Sequence, residues 1–471
     1  MLVVSAGAFG QNTNWSLERC ISHAQEKNLT IQQSNLAVKQ SELALDFSKR
    51  DYYPSLNGSV SYGFNTGRSI DPTTNDFVNN AIHTNGISIN GGITVYDGGR
   101  TPNTIQQNQL NIKAARKDLE QAKNDIGLQI AQAYLQILLA EEQLANTTVN
   151  KKQLQDQLAQ TDKLIKAGSL PANNRLDILA QIANTEQTLV ANQNSVDISY
   201  LNLKLLLLIE PGTPFQIEKP TIDLPSADEL EALSLEALFT ISEQDQPNIA
   251  AGELRRQSAE KSVEIAESAL YPTITIGGGL NTNYSNIGRD LANPVITPRT
   301  DIVNADVTLN GVTTPVDIAF PAFDVSFPNL GYFGQLNQNF SSFIGLTANV
   351  PIYNKGQNKI SIEQAKLNVI GTQYQNRILR QNLKSSIQIA MADAKAAAKQ
   401  LDAAQKSIDA QEAAFENTEN RFRLGAANAF EFNTARNNLE NSRTMYVLAK
   451  YDYIFKLKIL DFYQGKPIQL N

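Results

Sequence analysis

Between residues 103 and 166 the chain has no proline and one interior glycine, Gly127, while apolar residues return every seven positions: Ile105, Ile112, Leu119, Ile126, Ala133 and Ala140. A companion row runs through Ile130, Ile137, Leu144, Leu158 and Ile165. A seven-residue apolar period keeps one helical seam against a neighbour over many turns. At about 1.5 Å per residue this helix would be roughly 95 Å long. No compact domain encloses such a rod, so the fold has to be built around it. The rod also recurs. A shift of 257 residues turns the first row into Ile362, Val369, Asn376, Leu383, Ala390 and Ala397.

That recurrence is part of a duplication, the first thing to look for in a long chain. At a shift of 218, Ser16-Leu17-Glu18 falls on Ser234-Leu235-Glu236, Ile31 on Ile249, Glu42 on Glu260 and Tyr53-Pro54 on Tyr271-Pro272. At a shift of 257, Tyr96 falls on Tyr353, Gly99 on Gly356, Leu110 on Leu367 and Gly168 on Gly425. Past that glycine the first half carries three extra residues, so Asp177 meets Glu431. The change of shift places 39 extra residues in the second half, between about Tyr284 and Ser341.

Each half also carries two stretches of strict alternation, the pattern of a strand with two unlike faces. In 55–65, Leu56, Val60, Tyr62 and Phe64 alternate with Ser55, Asn57, Ser59 and Ser61; in 87–95, Ile87, Ile89, Ile93 and Val95 alternate with Ser88, Asn90 and Thr94. The second half repeats this with Ile274, Ile276, Leu280 and Tyr284, and with Ile344, Leu346, Val350 and Ile352. Polar, turn-rich loops join the paired strands at 65–85 and 285–340; the longer one holds five prolines, and no fold is assigned to it. The long helices end at glycines, in KAGSLP around Gly168 and RLGAAN around Gly425, as left-handed helix caps require. Return helices follow at about 174–209 and 431–463, making an antiparallel helical hairpin in each half.

No apolar run reaches the ~18 residues of a membrane helix, so a membrane crossing would have to be a β-barrel. Each alternating run has the length of a tilted transmembrane strand. Four such strands cannot close a cylinder, for which about eight is the lower limit. An open sheet in lipid would leave both edges unpaired, at several kcal/mol per backbone group. Copies of the chain therefore complete the cylinder. Two copies give eight strands and three give twelve; counting does not choose between them, although eight strands fill their interior with side chains, which favours three or more for a conduit.

Composition removes other classes. A net charge of -7 lacks the basic face of a nucleic-acid binder. One cysteine, Cys20, rules out an internal disulfide; with only His23 and His83 beside it, no metal site is expected, and Cys20 reads as a small buried helix residue. No nucleophile elbow, phosphate loop or Ser/His/Asp order appears, so neither catalysis nor a cofactor is expected. The apolar 1–9 segment, whose Ala6-Gly7-Ala8 resembles a cleavage region, reads as the end of a secretory signal peptide, the mature chain starting near Gln11.

The ordered pattern resembles the TolC-like outer-membrane efflux proteins. Its carriers are the duplicated SLE–helix–YYPSL segment (16–56, with 234–274), the VYDGGR and IYNKGQ strand-to-helix junctions (95–100 and 352–357), and the glycine tips Gly168 and Gly425. The resemblance implies an α+β membrane protein of the Gram-negative outer membrane: a homotrimer whose 12-stranded β-barrel, four strands per chain, is continued by a long α-helical barrel through the periplasm. It implies a passive conduit for efflux or type I secretion, embedded in outer-membrane lipid, with a periplasmic adaptor at the helical tips and an inner-membrane transporter beyond. On that plan the chain divides into a signal remnant (1–10), a helical lead-in (11–53), a transmembrane hairpin (54–96), a helical hairpin (97–209) and a linker in the equatorial belt (210–234). The second lead-in (235–271), a hairpin with a long extracellular loop (272–353), a helical hairpin (354–463) and a C-terminal tail (464–471) follow. The competing expectation is a periplasmic coiled-coil adaptor or scaffold, which accounts for the helical hairpins and leaves the four alternating strands unexplained.

The resemblance also implies roles for residues. An acidic ring narrows the entrance near the second tip; its first carboxylate is Glu431, and its second position is Thr434 here, so the ring is thinner. Polar locks near the tips carry over in one member only: Asp177 is present, while Phe422 and Ala427 stand where a tyrosine and an arginine are expected, leaving Arg421 or Arg423 as substitute partners. Glu431 could equally be a helix N-terminal acid. Gly168, Gly425 and Leu424 are the expected adaptor-docking tips, and Gly98, Gly99, Gly356, Pro54 and Pro272 shape the strand–helix junctions.

Overall fold

The computed structural model describes residues 14–70, 75–79, 81–220, 234–466 and 469. The signal-peptide reading of 1–10, most of the 210–234 linker and half of the tail lie outside the described residues. The chain divides into two compact units, Met1–Leu45 with Gln106–Ser262 and Gln364–Asn471, and Asp46–Ile105 with Val263–Glu363.

The first unit is helical and repeats itself. The lead-in is two helices rather than one, α1 (Leu17–Lys27) and α2 (Leu29–Arg50), mirrored by α5 (Leu235–Asp245) and α6 (Pro247–Ser268). The breaks fall at Asn28 and Gln246, positions related by the 218-residue shift, and both are extended. Different chemistry makes the same break. The Asn28 side chain caps the next helix by accepting from Thr30 N at 2.9 Å, whereas Gln246 precedes a proline, which disfavours helical backbone before it and starts a helix well. The rods are α3 (Arg100–Lys166) and α8 (Gln357–Arg423), 67 residues each, returning as α4 (Asn173–Leu206) and α9 (Ala429–Tyr463). The antiparallel pairing shows in the cross-links: Arg175–Asp162 at 3.0 Å near the first tip, then Lys151–Glu186 at 3.0 Å, then Tyr200 Oη donating to Glu141 at 2.6 Å. Arg443–Glu412 at 3.1 Å and Lys456–Asp393 at 2.7 Å do the same in the second hairpin. The seam rows are buried or half-buried, with Ile112, Ile126, Ala140, Ile362, Leu383, Ala390 and Ala397 inside.

Two apolar clusters occupy repeat-equivalent places. Cys20, Ile31, Ile126, Ile130 and Tyr134 in one answer to Leu238, Ile249, Leu383, Ile387 and Met391 in the other. Cys20 is fully buried, as expected, and burial pushes its thiol pKa up to about 12, so it is inert. Tyr134 ties in a short parallel pair, β1 (Asn14–Trp15) with β6 (Gln216–Ile217): its hydroxyl donates to Trp15 O at 3.0 Å and lies 2.7 Å from Glu218 O.

The second unit holds the other described strands. β2 (Ser55–Asn65), β5 (Ile82–Tyr96), β7 (Thr273–Ser285) and β10 (Ser341–Asn349) form one antiparallel sheet in the order β10-β7-β5-β2. The register joins the alternations of all four strands. Val60 faces Ile87, Ile89 faces Leu280 and Ile276 faces Leu346, so these apolar residues share one face, while Phe343 and Ile82 fall on the other. Ser59, Ser88, Asn90, Asn281, Thr275 and Thr347 share the other. None of the four strands contains Lys, Arg, Asp or Glu. β2 and β10 are open edges.

The 65–85 loop contains a small ladder, β3 (Ser69–Ile70) with β4 (Phe77–Val78). The 285–340 stretch, to which the sequence assigns no fold, is ordered as a two-stranded ribbon, β8 (Val295–Leu309) with β9 (Val312–Ser326), and a short helix α7 (Tyr332–Gln338). Its prolines obscure the alternation. Pro298, Pro315 and Pro321 all sit at cross-strand pairs of one parity, consistent with N–H positions that point away from the partner, where proline costs no ladder bond.

Candidate functional site

The residues expected to act fall at two places in the fold: the strand-to-helix junctions and the helical tips. At the first junction Gly98 and Gly99 have φ of +72° and +90°; at the second, Lys355 and Gly356 have +59° and +75°. Both junctions reverse the backbone with two successive left-handed residues. Gly98 is additionally held to glycine by space, since a Cβ there would meet Ser268 O at 2.5 Å. Asp97 accepts from Thr101 N at 2.8 Å and so satisfies one of the open donors at the start of α3. Pro54 and Pro272 open β2 and β7 after matching turns, in which Tyr53 N donates to Arg50 O at 2.9 Å and Tyr271 N to Ser268 O at 3.1 Å.

The tips are built alike. Gly168 (φ +73°) and Gly425 (φ +75°) close α3 and α8. Gly168 N donates to Ile165 O and Ser169 N to Leu164 O, and Gly425 N to Phe422 O and Ala426 N to Arg421 O, which is the Schellman pattern in both. Neither glycine has any atom within 4 Å of a would-be Cβ, so only the backbone angle selects glycine there. Leu424, at 84% exposure, and Phe430 project apolar groups at the second tip.

Glu431 lies in the first turn of α9. Asn428 caps this helix by accepting from Glu431 N at 2.9 Å, and its amide donates to Glu431 Oε1 at 2.9 Å. Arg421 reaches Glu431 Oε2 at 3.4 Å. Arg421 is thus engaged within its own hairpin, while Asp177 is exposed on α4 and Thr434 on α9. Phe422 stacks on the buried Phe432 at 4.9 Å, with Phe415 on Phe432 at 5.4 Å.

A third feature escaped the sequence reading. Arg436 on α9 is 4% exposed and donates from Nη1 to Gln157 Oε1 on α3 at 2.6 Å, joining the two hairpins. Burial pushes its pKa down, to about 10, and the Glu440 carboxylate opposes this; the group is a cation at neutral pH. Burial likewise raises Glu440, with Arg443 pulling it back. Lys450 to Glu142 at 3.0 Å is a second tie between α9 and α3. The available signal was Arg436 standing between Phe432 and Leu439, at the spacing of a buried seam.

Residues 20–207 and 240–465 match the profile of the outer membrane efflux protein family. An uncharacterized protein of Haemophilus influenzae is 23% identical over 257 residues, 51% of either chain. The outer membrane protein TolC of Vibrio cholerae is 26% identical over 182 residues, 38% of this chain and 40% of that protein. The aligned part thus spans about half the length of the first curated relative, or less. Among solved structures, CusC superposes with a TM-score of 0.73 at 18% identity, covering 98% of this chain and 96% of that one. The outer membrane protein VceC of Vibrio cholerae gives 0.72 at 15% identity, covering 96% of each. Fold and profile agree along nearly the whole described length: the chain belongs to the outer membrane efflux protein family.

Proposed function

We propose that three copies of this chain form an outer-membrane duct, a passive conduit from the periplasm to the exterior. The observation that carries the reading is the four-stranded sheet. It is free of Lys, Arg, Asp and Glu, mainly apolar on one face and mainly polar on the other, and open at β2 and β10. A sheet lying in water would place Lys and Glu on its polar face. A sheet whose apolar face meets lipid and whose polar face lines water has this composition. Three copies joined β10 to β2 give twelve strands and no edge, and twelve leave a lumen where eight would not. The helices support the same assembly. Leu29, Leu36 and Leu43 on α2, and Ile360, Leu367 and Tyr374 on α8, are exposed apolar rows at the seven-residue spacing, seams that lack their neighbours in one protomer.

On this reading a periplasmic adaptor docks at Gly168, Gly425 and Leu424, an inner-membrane transporter supplies the cargo, and Glu431 contributes a carboxylate to the entrance. A periplasmic adaptor or scaffold would share the helical hairpins, but the charge-free sheet has no place in it. The test is membrane fractionation with heat-modifiable, SDS-resistant oligomers, followed by conductance in planar bilayers. A monodisperse monomer that stays in buffer without detergent refutes the proposal.

A further inference from the structure

Among the described residues nothing covers the β8–β9 ribbon. Each strand has 15 residues, about 50 Å at ~3.3 Å per residue, and its extensive contacts are only between its own two strands. An isolated two-stranded ribbon is at best marginally stable in water. The root, by contrast, is fixed. The buried Gln335 side chain accepts from Ser285 N at 2.9 Å and donates to Ser285 O at 2.9 Å and to Leu330 O at 2.7 Å. Asp290 N donates to Pro328 O at 2.8 Å beside it. The ribbon is therefore an aimed arm.

Its apolar residues change local face along its length. Toward the root, Ile296, Pro298, Ile302, Phe323 and Val325 share one face, while Arg299, Asp301 and Asp324 form ion pairs on the other. Toward the tip the sides exchange. Val303, Val307, Leu309, Val312, Val316 and Ile318 lie on the second face, with Asp306 and Asp317 on the first. Twist accounts for this. A rotation of about 20–25° between strands ~4.8 Å apart corresponds to roughly 15° per residue along them. About eight residues separate the two patches, so the ribbon turns through roughly 120° between them, and two-stranded ribbons twist more than that. The exchange of local face thus keeps one continuous apolar side in space. The prolines deny both outer edges to strand pairing, which leaves that side as the docking element.

We propose that this side lies on a neighbouring copy of the chain, clasping the protomers together at the mouth of the duct; the inference rests on the trimeric reading above. The ribbon is rooted in the segment that leads into β10, the open edge at which the next copy's β2 would pair. Reach permits it. Twelve strands tilted by ~40° close into a cylinder about 24 Å across, so an arm of about 50 Å is long enough to span from one protomer to the next.

The test uses the full-length protein in outer-membrane vesicles. Because Cys20 is buried and is the only native cysteine, Ile318→Cys and Asp306→Cys can each be labelled with a benzophenone maleimide and illuminated. Position 318 should give adducts at multiples of the protomer mass, and position 306, on the polar side, at least tenfold fewer. Val316→Asp with Ile318→Asp should lower the temperature at which the SDS-resistant oligomer dissociates by several degrees. If 318 is labelled and yields no protomer–protomer adduct, or only adducts with lipopolysaccharide or another protein, the clasp is wrong while the duct stands. If the unmodified protein is a monomer in mild detergent, the duct reading fails first.

Discussion

Leu346 and Thr347 are adjacent on β10 and point to opposite faces of the sheet, Leu346 beside Ile276 and Thr347 beside Thr275. An arginine at each position separates the proposed environments. Leu346 is next to the middle residue of a nine-residue strand, so its side chain would sit close to the bilayer midplane. Arginine facing lipid at that depth costs about 2–4 kcal/mol. A trimer repeats the cost three times at well-separated sites, where contributions add, giving about 6–12 kcal/mol. That rivals the whole stability of an ordinary folded domain, about 5–15 kcal/mol. Leu346→Arg should therefore abolish the heat-modifiable oligomer and leave the chain out of the outer membrane. Thr347→Arg faces water on the same strand and should assemble normally, while raising anion over cation permeability in planar bilayers through a ring of three positive charges. Equal tolerance of both substitutions, or the reverse order, would refute the assignment of faces and with it the barrel.

Three further outcomes are expected. Gln157→Leu leaves the buried Arg436 guanidinium without its 2.6 Å acceptor and should cost about 1–3 kcal/mol or more in urea unfolding, whereas Arg436→Met, which removes the charge and keeps the volume, should be neutral or stabilising; similar losses in both would show that the pair does not act as a buried donor and acceptor. At the tips, Gly168→Val with Gly425→Val should strain each turn by about 1–2 kcal/mol, abolishing export with trimers intact; Gly425→Asn, which tolerates the left-handed angle, should retain export, and normal export in the double valine variant would reject a role for the tips in docking. Glu431→Gln should relieve block by divalent cations in single-channel recordings by roughly two- to fivefold, the size of a partly exposed charge interaction already offset by Arg421 at 3.4 Å; unchanged block would reject the acidic-ring role.

Periodicity made most of the architecture readable. The seven-residue rows give the rods, and the alternations at 55–65 and 87–95 give the strands because each sheet face keeps a single chemistry along its length. The 295–326 ribbon was not readable for the converse reason: its apolar side stays constant in space only by changing local face, and three prolines interrupt what alternation remains. The lead-in breaks at Asn28 and Gln246 were hidden because one uses a side-chain cap and the other a following proline, so the repeat alignment shows no shared residue. At the tip, Glu431 could be located by spacing from Gly425, but its engagement with Asn428 and Arg421 depends on side chains meeting across a turn. Arg436 went unnoticed because a charged residue in a helical sequence reads as solvated until the opposing helix is placed.

The two tips share a backbone and each has an arginine across its turn, Arg175 on Asp162 at the first and Arg421 on Glu431 at the second; they differ in capping. α4 begins at Asn173 with no side-chain cap from Ala172. α9 begins with Asn428 accepting from Glu431 N, an arginine across the turn and an aromatic stack beneath it. Local opening draws on the less supported element, so the uncapped first tip is expected to exchange its amide protons faster than the second. The second hairpin is tied to α3 by the Arg436–Gln157 hydrogen bond and, farther along, by Lys450 and Tyr451 on Glu142. On the duct reading, a swing of the second hairpin against the first has to break these polar ties as well as the aliphatic seam, so opening would cost energy at Gln157, Arg436 and Glu142 and not only at the turn residues.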